Sequence, residues 1–219
     1  MRFDESVDDA DRGRIAKALD DIEEYGDRFH QRLSRFVRAS ELSICVAPAK
    51  NVGGSGSVRL ESQWGARRAV SSGELKMFDA ASHVRLIIAR ETIDTGGQRG
   101  IEGTLVHEGK HAVDFSLMLA SFSSGNGKRY FNPTAYQREY SAHLTSAFYL
   151  RLRGGEFAEE GIALGLLLVR DGEISVNVEG IRRRLERNYG LTAGAPGRTL
   201  DHCSYPRIRP TEEMWFGIL

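Results

Sequence analysis

Apolar residues recur at two different spacings along this chain, and each spacing predicts a different kind of element. Over residues 8–39 the apolar positions follow a helical period with charged residues between them, which predicts one or two helices with Gly26 as a break. Shorter runs rich in β-branched residues follow at 41–47, 57–62 and 84–93, and these runs predict strands. The chain therefore begins with a helical segment and continues into a small sheet.

The second half of the chain has mainly helical spacing. Pro133 suits a first helical turn and Asn132 can cap it, so a long helix is expected over 134–152. The other elements predicted here are helices at 156–169 and 178–189 and, at 174–178, a short strand or an extended link. Together the patterns predict an α+β fold, organised as an N-terminal helical segment over 1–40 and a domain over 41–219, in one compact unit.

The segment TLVHEGKHAVD, at 104–114, carries the strongest chemical signal. Its histidines, His107 and His111, stand four residues apart in an HExxH pattern, so on a helix both imidazoles project from one face and can reach one metal ion. Glu108 lies beside that pair, too far round the helix to ligate comfortably but able to deprotonate a water molecule. The pattern predicts a metal-dependent hydrolase.

A catalytic zinc ion usually takes three protein ligands, and Glu139 is the first good candidate for the third. It lies on the predicted helix 134–152, where Tyr136, Tyr140 and His143 share its face at helical spacing. Two imidazoles and a carboxylate suit Zn²⁺.

At these residues the chain resembles the zincin metallopeptidases, and among them the gluzincins. The resemblance rests on HEGKH at 107–111 and on Glu139 with Ala142 three residues later, and it covers roughly residues 83–152. It implies a zincin-like fold in which His107, His111 and Glu139 bind Zn²⁺ and Glu108 is the general base.

The resemblance also implies a place for the substrate. In zincins a strand near the HExxH helix lies at the sheet edge and pairs with an extended peptide. That expectation makes residues 85–90 the substrate ledge, with an ordinary central strand as the alternative. The Gly-rich segment 51–57 lacks the P-loop pattern and is expected to connect a hairpin.

Two residues depart from the gluzincin pattern or compete with it. His143 stands where several gluzincins have an aspartate that orients a histidine ligand, and Asp114 could take over that orienting role. Both are also rival third ligands. We expect His143 at the rim of the site, where it, Tyr136 or Tyr140 could donate to the oxyanion of a tetrahedral intermediate.

Composition excludes several other classes of protein. The chain has 30 basic and 30 acidic residues, so no net charge draws it towards nucleic acid. The arginines Arg182, Arg183, Arg184 and Arg187 are expected to form a solvated helix face. Cys45 and Cys203 are too few and too distant for a disulfide framework. No apolar run is long enough for membrane insertion.

The start of the chain is acidic and unlike a signal peptide, so we expect a protein made in the cytoplasm. The resulting hypothesis is a zinc metalloprotease that cuts a specific protein or peptide substrate. It could be a bacterial effector or toxin, exported without a cleavable leader and controlled by an inhibitor, immunity protein or chaperone. The alternatives are a catalytically silent zincin-fold binding module and a zinc hydrolase of a non-peptide amide.

Overall fold

A computed structural model describes residues 1–73, 75–123, 130–154 and 165–203. Its helices are α1 (Asp9–Tyr25), α2 (Arg28–Ala39), α3 (Ala49–Val52), α4 (Gln63–Ser71), α5 (Met77–Ala80), α6 (Arg90–Asp94), α7 (Gly97–Ser123), α8 (Ala135–Arg153) and α9 (Val178–Tyr189). Its strands are β1 (Arg2–Phe3), β2 (Ser43–Ala47), β3 (Gly56–Leu60), β4 (Val84–Ala89), β5 (Leu167–Arg170) and β6 (Glu173–Val176). The expected mixed α+β class is confirmed.

The main sheet has the strand order β1-β2-β4-β3, in which β2 and β4 are parallel and β3 and β4 are antiparallel. β4 is therefore a central strand, and the prediction that residues 85–90 form an edge ledge is wrong. Its apolar residues face both sides of the sheet and are almost all buried, as expected of an interior strand. The edge next to it is β3. The predicted strand also ends early, because residues 90–94 form α6.

The segment 51–57 does not connect a hairpin, contrary to expectation. β2 and β3 are separated by β4, so the chain passes through α3 and a glycine-rich turn to reach the far side of β4. This path brings the turn and β3 close to the HExxH helix, where they form one wall of a cleft.

The HExxH residues lie at the centre of α7, a 27-residue helix packed against α1, α2, α5, α8 and the sheet. Gly109, between Glu108 and Lys110, allows α2 to approach closely, because a Cβ there would stand 2.9 Å from Leu33 Cδ2. α1 and α2 share the main hydrophobic core with α7 and the sheet. The predicted N-terminal helical segment thus packs directly behind the metal-binding motif.

α8 begins one residue later than expected and is capped by a different side chain. Thr134 accepts a hydrogen bond from the Gln137 amide while Gln137 bonds back to Thr134, which forms a capping box. Asn132 binds Asp201 instead, at 2.9 Å. α8 packs against α7 along much of its length.

The helix predicted at 156–169 is wrong at its end, since Leu167–Arg170 is strand β5; residues 155–164 lie outside the described ranges. Asp171 and Gly172 both have positive φ, of 51° and 81°, and form the tight turn that pairs β5 with β6. This hairpin and α9 pack on α8 through a second, smaller apolar cluster. Within the described part of the chain, no helix is long and apolar enough to cross a bilayer.

Candidate metal centre

His107 and His111 lie one turn apart on α7, and both are buried. Their ring centroids are 4.8 Å apart. They face α8, because the packing of α7 on α8 turns this side of the HExxH helix towards Glu139. The two imidazoles therefore converge as the motif predicts.

Glu139 reaches both histidines from α8. Its Oε2 lies 3.7 Å from His107 Nε2 and 3.4 Å from His111 Nε2. Two ligands bound at ~2.1 Å to one tetrahedral ion stand roughly 3.4 Å apart, so these spacings fit a zinc site. The other oxygen, Oε1, accepts a hydrogen bond from Arg138 Nη2 at 3.1 Å.

The charge state of Glu139 also suits a metal ligand. Burial by itself raises the pKa of this carboxyl, but contacts with the two imidazoles and the charge of Arg138 more than offset it and hold the pKa well below its usual value. The carboxylate is therefore ionised at any physiological pH.

The histidines lack the usual support for their other ring nitrogens. Nδ1 of both His107 and His111 is buried with no hydrogen-bond partner among the described residues. Asp114, expected to orient a histidine, instead accepts hydrogen bonds from Lys110 Nζ at 2.6 and 2.7 Å. That expectation is not supported, because the neighbouring lysine on the same helix engages both carboxylate oxygens.

Glu108 is buried at the floor of the cleft. Burial raises the pKa of its carboxyl to about 7, although the charge of His107 acts in the opposite direction. The strand β3 passes directly over it at Gly56, where a Cβ would stand 2.7 Å from Glu108 Cγ and 2.6 Å from Thr104 Cγ2. Glu108 thus lies between the two HExxH histidines and the edge strand.

His143 is not at the rim, contrary to expectation. It is 1% exposed, its ring centroid lies 4.6 Å from that of His107, and both of its nitrogens are buried without a hydrogen-bond partner in the described ranges. Ligand atoms of His107, Glu139 and His143 all lie within 4.8 Å of one another, so this buried group could hold a metal ion. Burial first, and then the charges of nearby His107 and Arg184, lower the pKa of His143 to about 3.

Tyr136 and Tyr140 stack on each other with ring centroids 5.8 Å apart and pack against the smaller apolar cluster. Neither is among the described residues that line the cleft. The tyrosine that does line it is Tyr189, at the end of α9, with its ring 6.1 Å from that of His143. Sequence spacing could not find Tyr189, because only the packing of α9 on α8 brings it to the site.

The cleft has a volume of about 610 Å³. Its floor comes from α7, one wall from the glycine-rich turn and β3, and the other from α8 and α9. The lining residues outside the HExxH–Glu139 set include Gly53, Gly54, Ser55, Gly56, Ser57, Val58, Leu60, Phe115, Arg138, His143, Arg184 and Tyr189. Arg184, expected on a solvated face, is half-buried in this wall.

Comparison with protein-family models, with curated proteins and with solved structures finds no significant match to this chain.

Proposed function

We propose that this protein is a zinc-dependent metallopeptidase with a zincin-like, gluzincin-type metal centre. One observation carries the proposal: Glu139 on α8 meets the two HExxH histidines at 3.4 and 3.7 Å, beside the buried Glu108. The donor set of two imidazoles and one carboxylate suits zinc. His107, His111 and Glu139 would hold the ion, and bound zinc supplies Lewis-acid polarisation of a carbonyl oxygen.

Glu108 would act as the general base. Its buried carboxylate could accept a proton from an attacking water and return it to a leaving amine. Its place beside the histidine pair and below β3 would put it next to both the ion and a bound peptide.

Tyr189 is the best-placed donor for a developing oxyanion, in preference to the predicted Tyr136 and Tyr140. Tyr189 lines the cleft, and burial first, then the carboxylates of Glu139 and Glu108, raise the pKa of its phenol. A phenol with a raised pKa keeps its proton and remains a hydrogen-bond donor.

A peptide is the substrate that the cleft favours. β3 pairs with β4 on one side only, so its other edge offers backbone N–H and C=O groups to an extended strand. The glycine-rich turn before β3 adds accessible backbone to the same wall. β3 would therefore pair with the substrate, the role first expected of residues 85–90.

The biological role we propose is cleavage of a specific protein, with a bacterial effector or toxin as the working hypothesis. An inhibitor, immunity protein or chaperone would then protect the producing cell. These proposals rest on the sequence-based expectations and on the peptidase assignment.

The test combines metal analysis with hydrolysis. We expect about one zinc ion per chain in the wild type and in Glu108→Gln, and none when His107 and His111 are both replaced by Ala, measured by mass spectrometry on folded protein. Cleavage of an unfolded protein such as casein should fall by about 10²–10⁴-fold in Glu108→Gln, because the proton acceptor is lost. Absence of zinc from reconstituted wild type, or equal hydrolysis by wild type and Glu108→Gln, would refute the proposal.

One observation favours a second candidate, a catalytically silent metal-binding module. His143 lies within reach of the same ion, and sites with four protein ligands are usually structural. Stoichiometric zinc without hydrolysis of any peptide library, in the wild type and after removal of His143, would favour this candidate.

A further inference from the structure

His143 is a buried histidine whose environment offers it no hydrogen bond from the described protein residues. Buried imidazole nitrogens normally have a partner, and both nitrogens of His143 lack one. The ring lies against His107 with centroids 4.6 Å apart, and its ligand atom falls within 4.8 Å of those of His107 and Glu139. An unpartnered buried donor group directed at a metal centre indicates a ligand.

The two helices contribute matching pairs of residues to this place. α7 presents His107 and His111 four residues apart, and α8 presents Glu139 and His143 four residues apart. Residues at this spacing share one helix face, so the packing of α7 on α8 places Glu139 within 3.7 Å of both HExxH histidines. The same packing places the ligand atoms of His107, Glu139 and His143 within 4.8 Å of one another. The arrangement follows from the packing of α7 on α8 and needs no loop.

We propose that His143 is the fourth protein ligand of the resting metal centre and keeps the site closed until a substrate displaces it. The inference rests on the metal centre of the proposed function and deepens it, because it makes the peptidase latent at rest. Four protein ligands fill a tetrahedral site, whereas catalysis requires an open position. His143 must therefore leave before a peptide is cleaved.

His143 lies between a ring on α7 and a ring on α9. Its ring is bordered by His107 on the α7 side and by Tyr189 on the α9 side, at 4.6 and 6.1 Å between centroids. Tyr189 and His143 both line the cleft, so a peptide that enters would contact the pair from the open side.

X-ray absorption at the zinc edge tests the proposal without any measurement of activity. In zinc-loaded wild type we expect scattering from three imidazoles, and in His143→Gln from two, with an added light-atom ligand. His83→Gln, a histidine outside the cleft lining, is the matched control and should retain three. Because the wild-type count alone decides, the test survives a poorly folded variant.

Hydrolysis of casein provides the second readout. If His143 is bound to the metal in about nine-tenths of the molecules, His143→Gln removes this closed form and should raise the rate of cleavage about tenfold.

Two imidazoles in wild type would overturn the proposal, as expected if a buried water satisfies His143. Three imidazoles with equal or slower cleavage by His143→Gln would overturn latency. No cleavage by any form would count against the proposed function, while the imidazole count would still decide the role of His143.

Discussion

At the scale of single residues, Glu108 makes the metal-free protein sensitive to pH. Burial raises the pKa of its carboxyl from 4.5 to about 7, so the folded state binds this proton more tightly than the unfolded chain does. Between these values the unfolded chain loses the proton first, so stability falls as pH rises, and the loss is complete above pH 7. At about 1.36 kcal/mol per pKa unit, ionisation of buried Glu108 lowers the free energy of unfolding by about 3 kcal/mol.

Glu108→Gln should therefore stabilise the metal-free protein by about 3 kcal/mol at pH 8 and have almost no effect near pH 4.5. Urea unfolding in the presence of a chelator, at both pH values, measures this difference. Glu24→Gln, on the exposed side of α1, is the control and should have little effect at either pH. An equal effect of Glu108→Gln at both pH values would show that the carboxyl has no raised pKa.

Gly56 sets the distance between the edge strand and Glu108. An added Cβ would stand 2.6 Å from Thr104 Cγ2 and 2.7 Å from Glu108 Cγ, so either β3 or the side chains of Thr104 and Glu108 must move. We expect Gly56→Ala to cost about 1–3 kcal/mol of stability and to reduce hydrolysis strongly. Thermal unfolding and casein cleavage measure the two effects.

Gly54→Ala is the matched control in the same turn. The nearest heavy atom to a Cβ at Gly54 is 3.9 Å away, an ordinary contact. Its stability should therefore stay within about 0.5 kcal/mol of wild type. Similar losses in both variants would mean that the turn tolerates no side chain at all and would remove the special role of Gly56.

At the scale of elements, the site depends on how α7 and α8 are held together. One turn before the HExxH motif, the buried Glu102 accepts a hydrogen bond from Tyr149 Oη at 2.6 Å and one from Arg153 Nε at 2.9 Å. Both donors lie on α8. This contact joins the two helices that carry His107, His111 and Glu139.

Tyr149→Phe should lower the free energy of unfolding by about 1.5–3 kcal/mol, because a buried carboxylate loses a hydrogen bond. We also expect weaker zinc binding, since the separation of α7 and α8 sets the distance from Glu139 to the histidines. Denaturant unfolding and competition with a zinc-binding dye measure the two effects. Tyr140→Phe, whose hydroxyl has no hydrogen bond within the described residues, is the control; an equal loss there would contradict the role of the contact.

The positions of several elements were easier to predict than strand neighbours. Runs rich in β-branched residues located β2, β3 and β4, and helical spacing located α7, α8 and α9, although not all of their ends. Which strand lies at the edge depends on pairings between residues more than 20 positions apart, such as Leu60 with Val84. No local pattern encodes these pairings, so the wrong strand was expected to bind substrate.

At the scale of the whole molecule, metal binding should determine stability. A ligand that binds only the folded state, at a free concentration about 100 times its Kd, adds about 2.7 kcal/mol to the free energy of unfolding. For a chain of 219 residues this corresponds to a rise in Tm of about 5–10 °C. Calorimetry with zinc or with a chelator measures the rise, and a variant with both His107 and His111 replaced by Ala should show almost none. Equal Tm values for loaded and metal-free wild type would contradict a resident metal.

The HExxH pattern and Glu139, the candidate third ligand, were identified from local sequence. His107, Glu108 and His111 were identified from their spacing on one helix, and Glu139 from its place on the next long helix. Such residues are identifiable because helix geometry converts a spacing of four into a shared face. The α+β class followed from the same periodicities.

Only the tertiary structure decided what surrounds that motif. The packing of α7 on α8 buried His143 against His107, and the packing of α9 on α8 brought Tyr189 and Arg184 into the cleft while Tyr136 and Tyr140 turned to an apolar cluster. The path of β3 beyond β4 made it the edge strand over Glu108. These contacts join distant segments, and their partners are chosen by burial of apolar surface across the whole fold, which no local spacing records.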